Sequence, residues 1–466
     1  MTITDPAPPE IIRQRRLIIA TAVSANLLGN IGLIGVNVAA PTISRDLSMS
    51  AVEIGWLSLS CLMAMAMFSA PTARLSDIFG RRRVTVYGLW VAILGSAFGA
   101  LAWSPVSLLV SRAITGLGLV AFFTTVTTMA ASAYPPERRG RVLGLIISSV
   151  YIGLSVGPLL AGVLVESLGW PSLFWFTVFG LIPPAIFIQF VKNDVPPSVG
   201  EKMDFKGMGL WLVAVALIFS GLASLGLNLS LAAIALGLVL LIVFIRRSIK
   251  SSSPLLDISL FQNSRRFSFS SLAAYISYLS SFSVSFLLSL YLQYSKGLSP
   301  SQAGLMLITQ PVVQAFITPF AGRLSDRFDA GRLASLGLAI ILTAILFFAI
   351  NLSATTGDIP LILNMGLFGA GFALFSAPNS NAIMGSVPPK RLGQASGVIT
   401  VTRLWGQITS VAITTLVFAL VIGEGKIQPE HYPKFIIAAK TCFWIFAPLV
   451  FTGVIASMAR GQTLDS

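Results

Sequence analysis

Long apolar stretches separated by short polar segments dominate this 466-residue chain. A helix needs about 20 apolar residues to cross a hydrocarbon core of roughly 30 Å. We identify fourteen stretches of that kind between Leu17 and Met458. They cover residues 17–41, 53–72, 84–103, 106–132, 142–165, 171–191, 207–226, 229–246, 267–294, 302–321, 332–352, 359–386, 394–422 and 435–458. The pattern predicts an all-α membrane protein with fourteen transmembrane helices.

The polar segments contain a repeat. The hexapeptide RLSDIF begins at Arg74, and RLSDRF begins at Arg323, 249 residues later. A second pair of similar segments, residues 135–140 and 388–393, has an offset of 253 residues. Two pairs in the same order and at nearly one offset indicate an internal duplication, which is typical of transporters. We therefore expect the functional site where the two halves face each other.

Composition agrees with a membrane location, since 55% of the residues are hydrophobic and only 10% are charged. The net charge of +14 is unevenly distributed. With the N-terminus inside, 24 of the 31 Lys and Arg residues are cytoplasmic and two lie within spans; the outer five are Arg45, Lys296, Lys426, Lys434 and Lys440. The basic charge thus predicts that both termini of a multi-pass bacterial inner-membrane protein are cytoplasmic. It does not indicate a nucleic-acid partner.

Several function classes are excluded by what the sequence lacks. The longest polar stretches, residues 192–206 and 247–266, are too short for a catalytic domain, and no P-loop pattern is present. One histidine (His431) and two distant cysteines (Cys61 and Cys442) do not make a zinc site or a disulfide framework. We expect a monomeric protein that is not an enzyme, with no metal and no cofactor, and with the first span retained as a signal anchor.

Four segments together resemble a known family. Residues 73–83 form a charged loop, and a later segment runs from Gly369 to Asn381. The fourth span has Arg112, Gly116 and Gly118, and the fifth has Gly153, Gly157, Pro158 and Gly162. This combination resembles the major facilitator superfamily, and within it the fourteen-helix drug:proton antiporters.

The resemblance implies a major facilitator fold made of two six-helix bundles plus an extra central helical hairpin. Those bundles would be residues 17–191 and 267–458. A linker of residues 192–266 would carry the hairpin at about 207–246, and residues 1–16 and 459–466 would be cytoplasmic tails. The resemblance also implies a conformational latch formed by Asp77, Gly80, Arg81 and Asp326. Arginines in that loop also enforce orientation.

Glycines in the fifth span favour close helix packing. Gly153 and Gly157 are four residues apart and share one face, and Pro158 removes a backbone hydrogen bond and permits a bend. The resemblance implies that this signature also controls leak and opening towards the outside.

Narrow polar stripes mark several spans. Asn26, Asn30 and Asn37 fall within about 40° of arc on one helix. Polar groups at membrane depth normally face a bundle interior or a wet cavity, although they also form interhelical hydrogen bonds. On this basis the predicted cavity-lining residues are Asn26, Asn30, Asn37, Gln310, Gln314, Asn379, Arg403 and Gln407.

All seventeen carboxylates lie in loops or at the ends of spans, and the two deep charges are Arg112 and Arg403. Gly32 stands where the antiporter branch usually has an aspartate. A proton carrier would have to be Asp77, Asp326 or Glu166, and the candidates are Glu166 and Asp77. Glu166 lies near the outer rim, about 12 Å along the helix from Pro158. A cavity with two fixed cations would favour neutral or anionic amphiphiles, unless both arginines only satisfy helix carbonyls or aromatic faces.

The sequence therefore predicts a secondary active transporter that exports small amphiphilic compounds by alternating access, in exchange for protons. One alternative is a proton-independent facilitator or importer of an organic anion. A second alternative is a lipid-handling membrane protein. The expected partners are an amphiphilic substrate and the lipid bilayer.

Overall fold

The computed structural model describes residues 8–134, 136–192, 203–223, 229–251, 254–256, 258–325, 328–387, 392–423 and 427–460. In this part of the chain every regular element is helical, and fourteen helical segments are long and apolar enough to cross a membrane. The fold class predicted from the hydrophobic pattern is confirmed. An all-helical answer follows from the bilayer itself, because a helix satisfies its own backbone hydrogen bonds where water is absent.

The first half contains α1 (Pro9–Asp46), α2 (Ala51–Phe79), α3 (Arg81–Ala100), α4 (Pro105–Ala133), α5 (Pro136–Leu168) and α6 (Pro171–Phe187). Two further spans follow, α7 (Phe205–Ala223) and α8 (Ser230–Lys250), and then the short α9 (Ser259–Asn263). The second half contains α10 (Arg265–Leu290), α11 (Pro300–Leu307), α12 (Thr309–Ser325), α13 (Ala330–Asn351), α14 (Asp358–Met384), α15 (Leu392–Val421) and α16 (Tyr432–Ala459). Because the number of crossings is even, α1 begins and α16 ends on one face, which we call the terminal face. The opposite one is the far face.

The two halves pack by the same plan. In the first half α1 contacts α5 and α6, α4 contacts α2 and α3, and α3 contacts α6. In the second half α10 contacts α15 and α16, α14 contacts α12 and α13, and α13 contacts α16. Each pairing in one half thus has its counterpart in the other, as an internal duplication requires.

Helix starts at the far face are capped by side chains. Ser50, Ser104 and Ser299 are the N-cap residues of α2, α4 and α11, and each forms a capping box with the residue three positions later. A capping box satisfies backbone N–H groups that have no partner within the helix. The sharp chain reversals on this face are thereby stabilised locally.

Two elements differ from the hydrophobic pattern. The helix α1 begins at Pro9, so residues 9–16 of the predicted tail are its first two turns, with Pro9 at a favourable starting position. The predicted tenth span is split at Ile308 into α11 and α12. Pro311 explains the break, because it has no N–H to donate to the carbonyl four residues earlier.

The helix pair α7–α8 bridges the two halves, since α7 contacts both α2 and α15. The indole of Trp211 donates to the Met67 carbonyl at 2.8 Å, and its ring lies 5.4 Å from that of Trp405. Arg247 in the last turn of α8 makes an ion pair at 2.8 Å with Asp204, the residue before α7, and so joins the two ends of the hairpin. The hydrogen bond from Arg247 lowers the pKa of the Asp204 carboxyl, so the pair stays intact until the pH falls through that lowered pKa.

Close helix crossings depend on glycine. A Cβ atom at Gly118 of α4 would collide with the backbone of Ala92 and Gly88 of α3. At the equivalent crossing of α13 and α14, a Cβ atom at Gly337 would lie 2.5 Å from the Phe375 nitrogen. Since backbone atoms cannot move aside like a flexible side chain, these crossings require glycine.

We therefore predict that Gly118→Ala lowers the stability of the folded protein by about 1–3 kcal/mol through overpacking. The measurement is the unfolding temperature of the detergent-purified protein. Gly209→Ala is the matched control, because a Cβ atom there meets open space and alanine is the better helix former. An unchanged unfolding temperature for Gly118→Ala would contradict the packing described here.

Candidate functional site

A cavity of about 310 Å³ lies between the two halves. It is lined by residues of α1, α2, α4, α5, α10, α11, α12, α14 and α15. The lining residues of α12 include Gln310 and Pro311, near the break in the tenth span. The main polar lining residues are Asn30, Asn37, Tyr151, Tyr278, Ser281, Ser285, Gln310, Gln314, Arg403 and Gln407. Aromatic and aliphatic side chains, including Phe123, Phe282 and Phe372, complete the wall. This position matches the expectation that function lies where the halves meet.

Close contact between α5 and α11 closes the cavity at the far face. A Cβ atom at Gly162 would collide with the Pro300 carbonyl, and one at Gly304 with the Pro158 carbonyl. Nearby, the Glu166 carboxylate accepts hydrogen bonds from the Ser299 hydroxyl at 2.9 Å and from the Ser301 N–H at 3.2 Å. The Ser301 hydroxyl also donates to it. A first-half carboxylate thus sits at the N-terminus of a second-half helix, where the helix dipole favours negative charge.

A second closure joins α1 and α10. The Ser289 hydroxyl donates to the Asn37 carbonyl at 2.8 Å, and the Gln293 amide donates to the Val38 carbonyl at 2.9 Å. All four residues are buried. Both acceptors are backbone carbonyls of α1 just before Pro41, so the closure pairs buried side chains of the second half with the backbone of the first.

Three glycines towards the terminal face have no close neighbours among the described atoms. Among the described atoms, none lies within 4 Å of a Cβ built on Gly144 of α5, Gly322 of α12 or Gly397 of α15. The glycines of α5 and α11 near the far face, by contrast, are in tight contact. We conclude that the described contacts between the halves close the cavity at the far face.

Arg403 carries the charge in this cavity. It is the sole charged residue among the described lining residues, and no carboxylate accompanies it. Within the described part of the chain, its guanidinium makes no hydrogen bond or ion pair. Asn37 also has free capacity: its Oδ1 accepts from the Ser58 hydroxyl at 2.8 Å, but its buried Nδ2 has no partner.

Six of the eight predicted lining residues line this cavity: Asn30, Asn37, Gln310, Gln314, Arg403 and Gln407. Asn26 instead lies buried and donates to the Ala22 carbonyl at 2.7 Å. Asn379 donates to the Ser270 carbonyl at 3.1 Å and accepts from the buried Arg460 at 3.0 Å. The polar stripe therefore identified one face of α1, but its end nearer the terminal face serves packing.

The expectation of two cations in one cavity is wrong. Arg112 lies buried inside the first half, where its Nε donates to the Leu57 carbonyl at 3.4 Å. It borders a separate small space beside Ser96, Thr115 and Thr177. Arg112 therefore satisfies a helix carbonyl, and only Arg403 faces the cavity between the halves. Gly116, the other residue of that signature, packs against the Cys61 backbone.

The glycines of α5 divide between two partners. Gly153 and Gly157 face Leu27 and Ile31 of α1 in the same half. Pro158 lines the cavity and Gly162 faces α11 of the other half. This one signature thus connects packing within a half, the cavity wall and the closure at the far face.

The predicted latch residues lie at the terminal face. Asp77 and Arg81 form an ion pair at 3.6 Å, and Arg81 also donates to the Ser132 hydroxyl at 2.9 Å. Gly80 joins α2 to α3 with φ at 101°, a conformation that favours glycine. Asp326 lies outside the described residues. The three described positions hold α2, α3 and α4 together at this face.

Sequence reasoning missed Tyr151, Phe123 and Phe372 in the cavity wall. Tyr151 could have been found, because it precedes Gly153 by two residues on a helix already assigned to the interface. In the described part of the chain, no group of three or more His, Cys, Asp or Glu residues could hold a metal ion.

The chain is similar to known transporters in sequence and in fold. The Major Facilitator Superfamily model matches residues 19–276 and 270–462. The riboflavin transporter RibZ of Clostridioides difficile is 27% identical over 91% of this chain and 92% of its own length. The uncharacterized transporter YebQ of Escherichia coli is 32% identical, with 82% and 84% covered. For the multidrug resistance protein Stp of Mycobacterium tuberculosis, identity is 29% and coverage 82% and 72%.

Solved structures share the fold. A bacterial homologue of the human lysosomal transporter Spinster, in an inward-facing conformation, has a TM-score of 0.69 and 15% identity, and the match covers 97% of each chain. The peptide transporter POT in complex with sulfate has a TM-score of 0.71 and 15% identity, with 95% of each chain covered.

Because the far face is closed, a cysteine in the cavity wall should be accessible from the terminal face. Ser281→Cys places a thiol in the cavity wall, and it should react with a membrane-impermeant maleimide applied from the terminal face only. Cys61 and Cys442 are fully buried and should contribute no background, which the unsubstituted chain checks. Leu101→Cys, exposed at the far end of α3, reports the sidedness of the vesicles. Faster labelling of Ser281→Cys from the far face would contradict the assigned closure.

Proposed function

The chain belongs to the Major Facilitator Superfamily, and on that premise we propose that it exports small amphiphilic compounds across a bacterial inner membrane by alternating access, in exchange for protons. The observation that carries this proposal is the cavity between the halves, which is closed at the far face. Such a cavity loads substrate from one side. Separation of the contacts between α5 and α11 would release it to the other.

Relatives support the direction and class of the transport. Stp is named a multidrug resistance protein, and a relative from Listeria monocytogenes is named lincomycin resistance protein LmrB. RibZ, however, is named a riboflavin transporter, so relatives of similar identity differ in substrate. We assign the terminal face to the cytoplasm because most Lys and Arg residues fall on that side.

Glu166 and Asp77 are the carboxylates that we propose for proton coupling. Glu166 lies at the far face and Asp77 near the terminal face, so neither alone reaches both sides of the membrane. We therefore assign Glu166 to the gate: its negative charge holds the N-terminus of α11 and keeps the far face closed. Loss of that charge weakens the closure.

A facilitator or importer of an organic anion, without proton exchange, is the second candidate. The observation in its favour is Arg403, which faces the cavity with no described carboxylate beside it. Such a cavity has no group of its own that alternates between charged and neutral forms near pH 7.

Purified protein in proteoliposomes with an internal pH-sensitive dye distinguishes the two candidates. A panel of cationic, neutral and anionic amphiphiles is added with and without an imposed pH gradient. We expect substrate addition to drive proton movement in the opposite direction, and protein-free liposomes give the background. Substrate flux without proton movement would overturn antiport and favour the facilitator.

The gate assignment predicts the behaviour of Glu166→Gln. Spin labels at Leu101→Cys and Ile359→Cys, on the far face of the two halves, report the opening by electron–electron distance measurement. Glu166→Gln should add a longer distance, because the neutral amide binds the α11 N-terminus less strongly. Glu53→Gln is the control, since Glu53 accepts from the Ser50 N–H within its own half. Identical distance distributions for Glu166→Gln and the parent would refute the gate assignment.

A further inference from the structure

We propose that Arg403 and Gln407 form an acid-recognition subsite, and that the substrate is a planar aromatic compound carrying a single carboxylate or similar monoanion. This inference deepens the proposed function and rests on it. It is carried by the Arg403 guanidinium and nearby polar side chains, which have no partner in the described part of the chain, and by the rings of the cavity wall.

Arg403 is a charged residue far from the start of its helix. It lies eleven residues into α15, about 17 Å along the helix, and therefore deep in the membrane. A guanidinium keeps its charge at any physiological pH. Placing such a charge at membrane depth is expensive unless it is paired or faces a watery space. Because the described residues provide no partner, the structure leaves its pairing capacity directed into the cavity.

A single guanidinium favours a ligand with a single negative charge. One guanidinium pairs with one carboxylate through two parallel hydrogen bonds. A dianion would leave one negative charge without compensation, and a cation would meet a like charge at low dielectric. The cavity therefore favours a monoanion over both.

The rest of the cavity wall offers polar groups and aromatic rings to the ligand. Tyr151, Tyr278, Gln314 and Gln407 line the cavity, and their side chains have no hydrogen-bond partner in the described part of the chain. They can bind neutral polar groups at the edge of a ring. Rings from both halves face the same space, and Tyr278 meets Phe372 edge to face at 5.6 Å. A flat aromatic body fits between such walls.

The cavity volume limits the size of the ligand. A volume of about 310 Å³ is at the lower end of the range of small-molecule sites, which runs from roughly 300 to 1,000 Å³. The cavity suits a compound of two or three fused rings with one acidic group. A lipid with two long chains would exceed it.

Three naphthalene probes test the charge preference on one ring system: 2-naphthoate, 2-naphthamide and 2-naphthylmethylammonium. Binding to the detergent-purified full chain is measured by titration calorimetry. We expect the carboxylate to bind about tenfold or more tighter than the amide, as for one charge-assisted pair, and the ammonium to bind weakest. Equal affinities for the carboxylate and the amide, or no binding of any probe, would overturn the proposal.

Two variants test whether Arg403 causes the preference for the carboxylate over the amide. Arg403→Gln should reduce the carboxylate-to-amide ratio to about one while leaving the affinity for the amide in place. Gln407→Glu puts a carboxylate one helical turn from Arg403 and should neutralise it internally, which abolishes the preference without leaving a buried charge unpaired. Retention of the full preference by both variants would overturn the assignment to Arg403.

Arg112→Gln is the matched control, because Arg112 is a deep arginine of the first half that does not line the cavity. It should leave the carboxylate-to-amide ratio unchanged, and unfolding temperatures verify that each variant is folded. Failure of this subsite is distinguishable from failure of the proposed function. If proteoliposomes transport neutral amphiphiles without any preference for the acid, transport stands and the subsite falls. If nothing in the panel is transported, the proposed function itself fails.

Discussion

The absence of water from the bilayer core is the constraint on which the rest of the structure depends. It requires each span to satisfy its own backbone, so the chain is helical, and it leaves polar side chains few places to go. In this protein several of them gather between the halves, where Arg403, Gln314 and Gln407 meet in one cavity and their side chains make no hydrogen bond in the described part of the chain. Other polar groups, such as Arg112 and Asn379, are satisfied inside a half. The cavity thus contains polar side chains whose hydrogen-bonding capacity is not used within the described part of the chain.

The contacts that close the far face lie between the halves rather than within either half. Its contacts are short and local: glycines of α5 and α11 against backbone, two hydrogen bonds to carbonyls of α1, and the carboxylate of Glu166 at a helix start. None requires a side chain to leave the core of its own half. The crossings within each half, such as that of α3 and α4 at Gly118, do not involve these contacts.

Much of this could be predicted from the sequence, because the number and order of the spans follow from apolar length alone. The polar stripe on α1 and the glutamines of the tenth span also indicated the cavity. The direction in which a helix faces, however, depends on neighbours that one sequence does not reveal. Arg112 and Arg403 look alike as single charges in apolar spans, yet one meets the Leu57 carbonyl and the other meets open space. Asn379 likewise gave no sign that Arg460 would bind it.

The extra hairpin makes two equivalent seams unequal. Duplication places α2 beside α15 on one side of the cavity and α5 beside α11 and α12 on the other. Only the first of these seams is covered by α7, whose Trp211 bonds to Met67 in one half and packs on Trp405 in the other. On the second side, Phe316 and Phe320 of α12 are exposed, and no described helix of the hairpin lies over them. The hairpin therefore contacts both halves on one side of the cavity and, in the described part of the chain, leaves the side of α5 and α12 uncovered. The glycines and Glu166 that close the far face lie along that second seam, on the side that the hairpin leaves free.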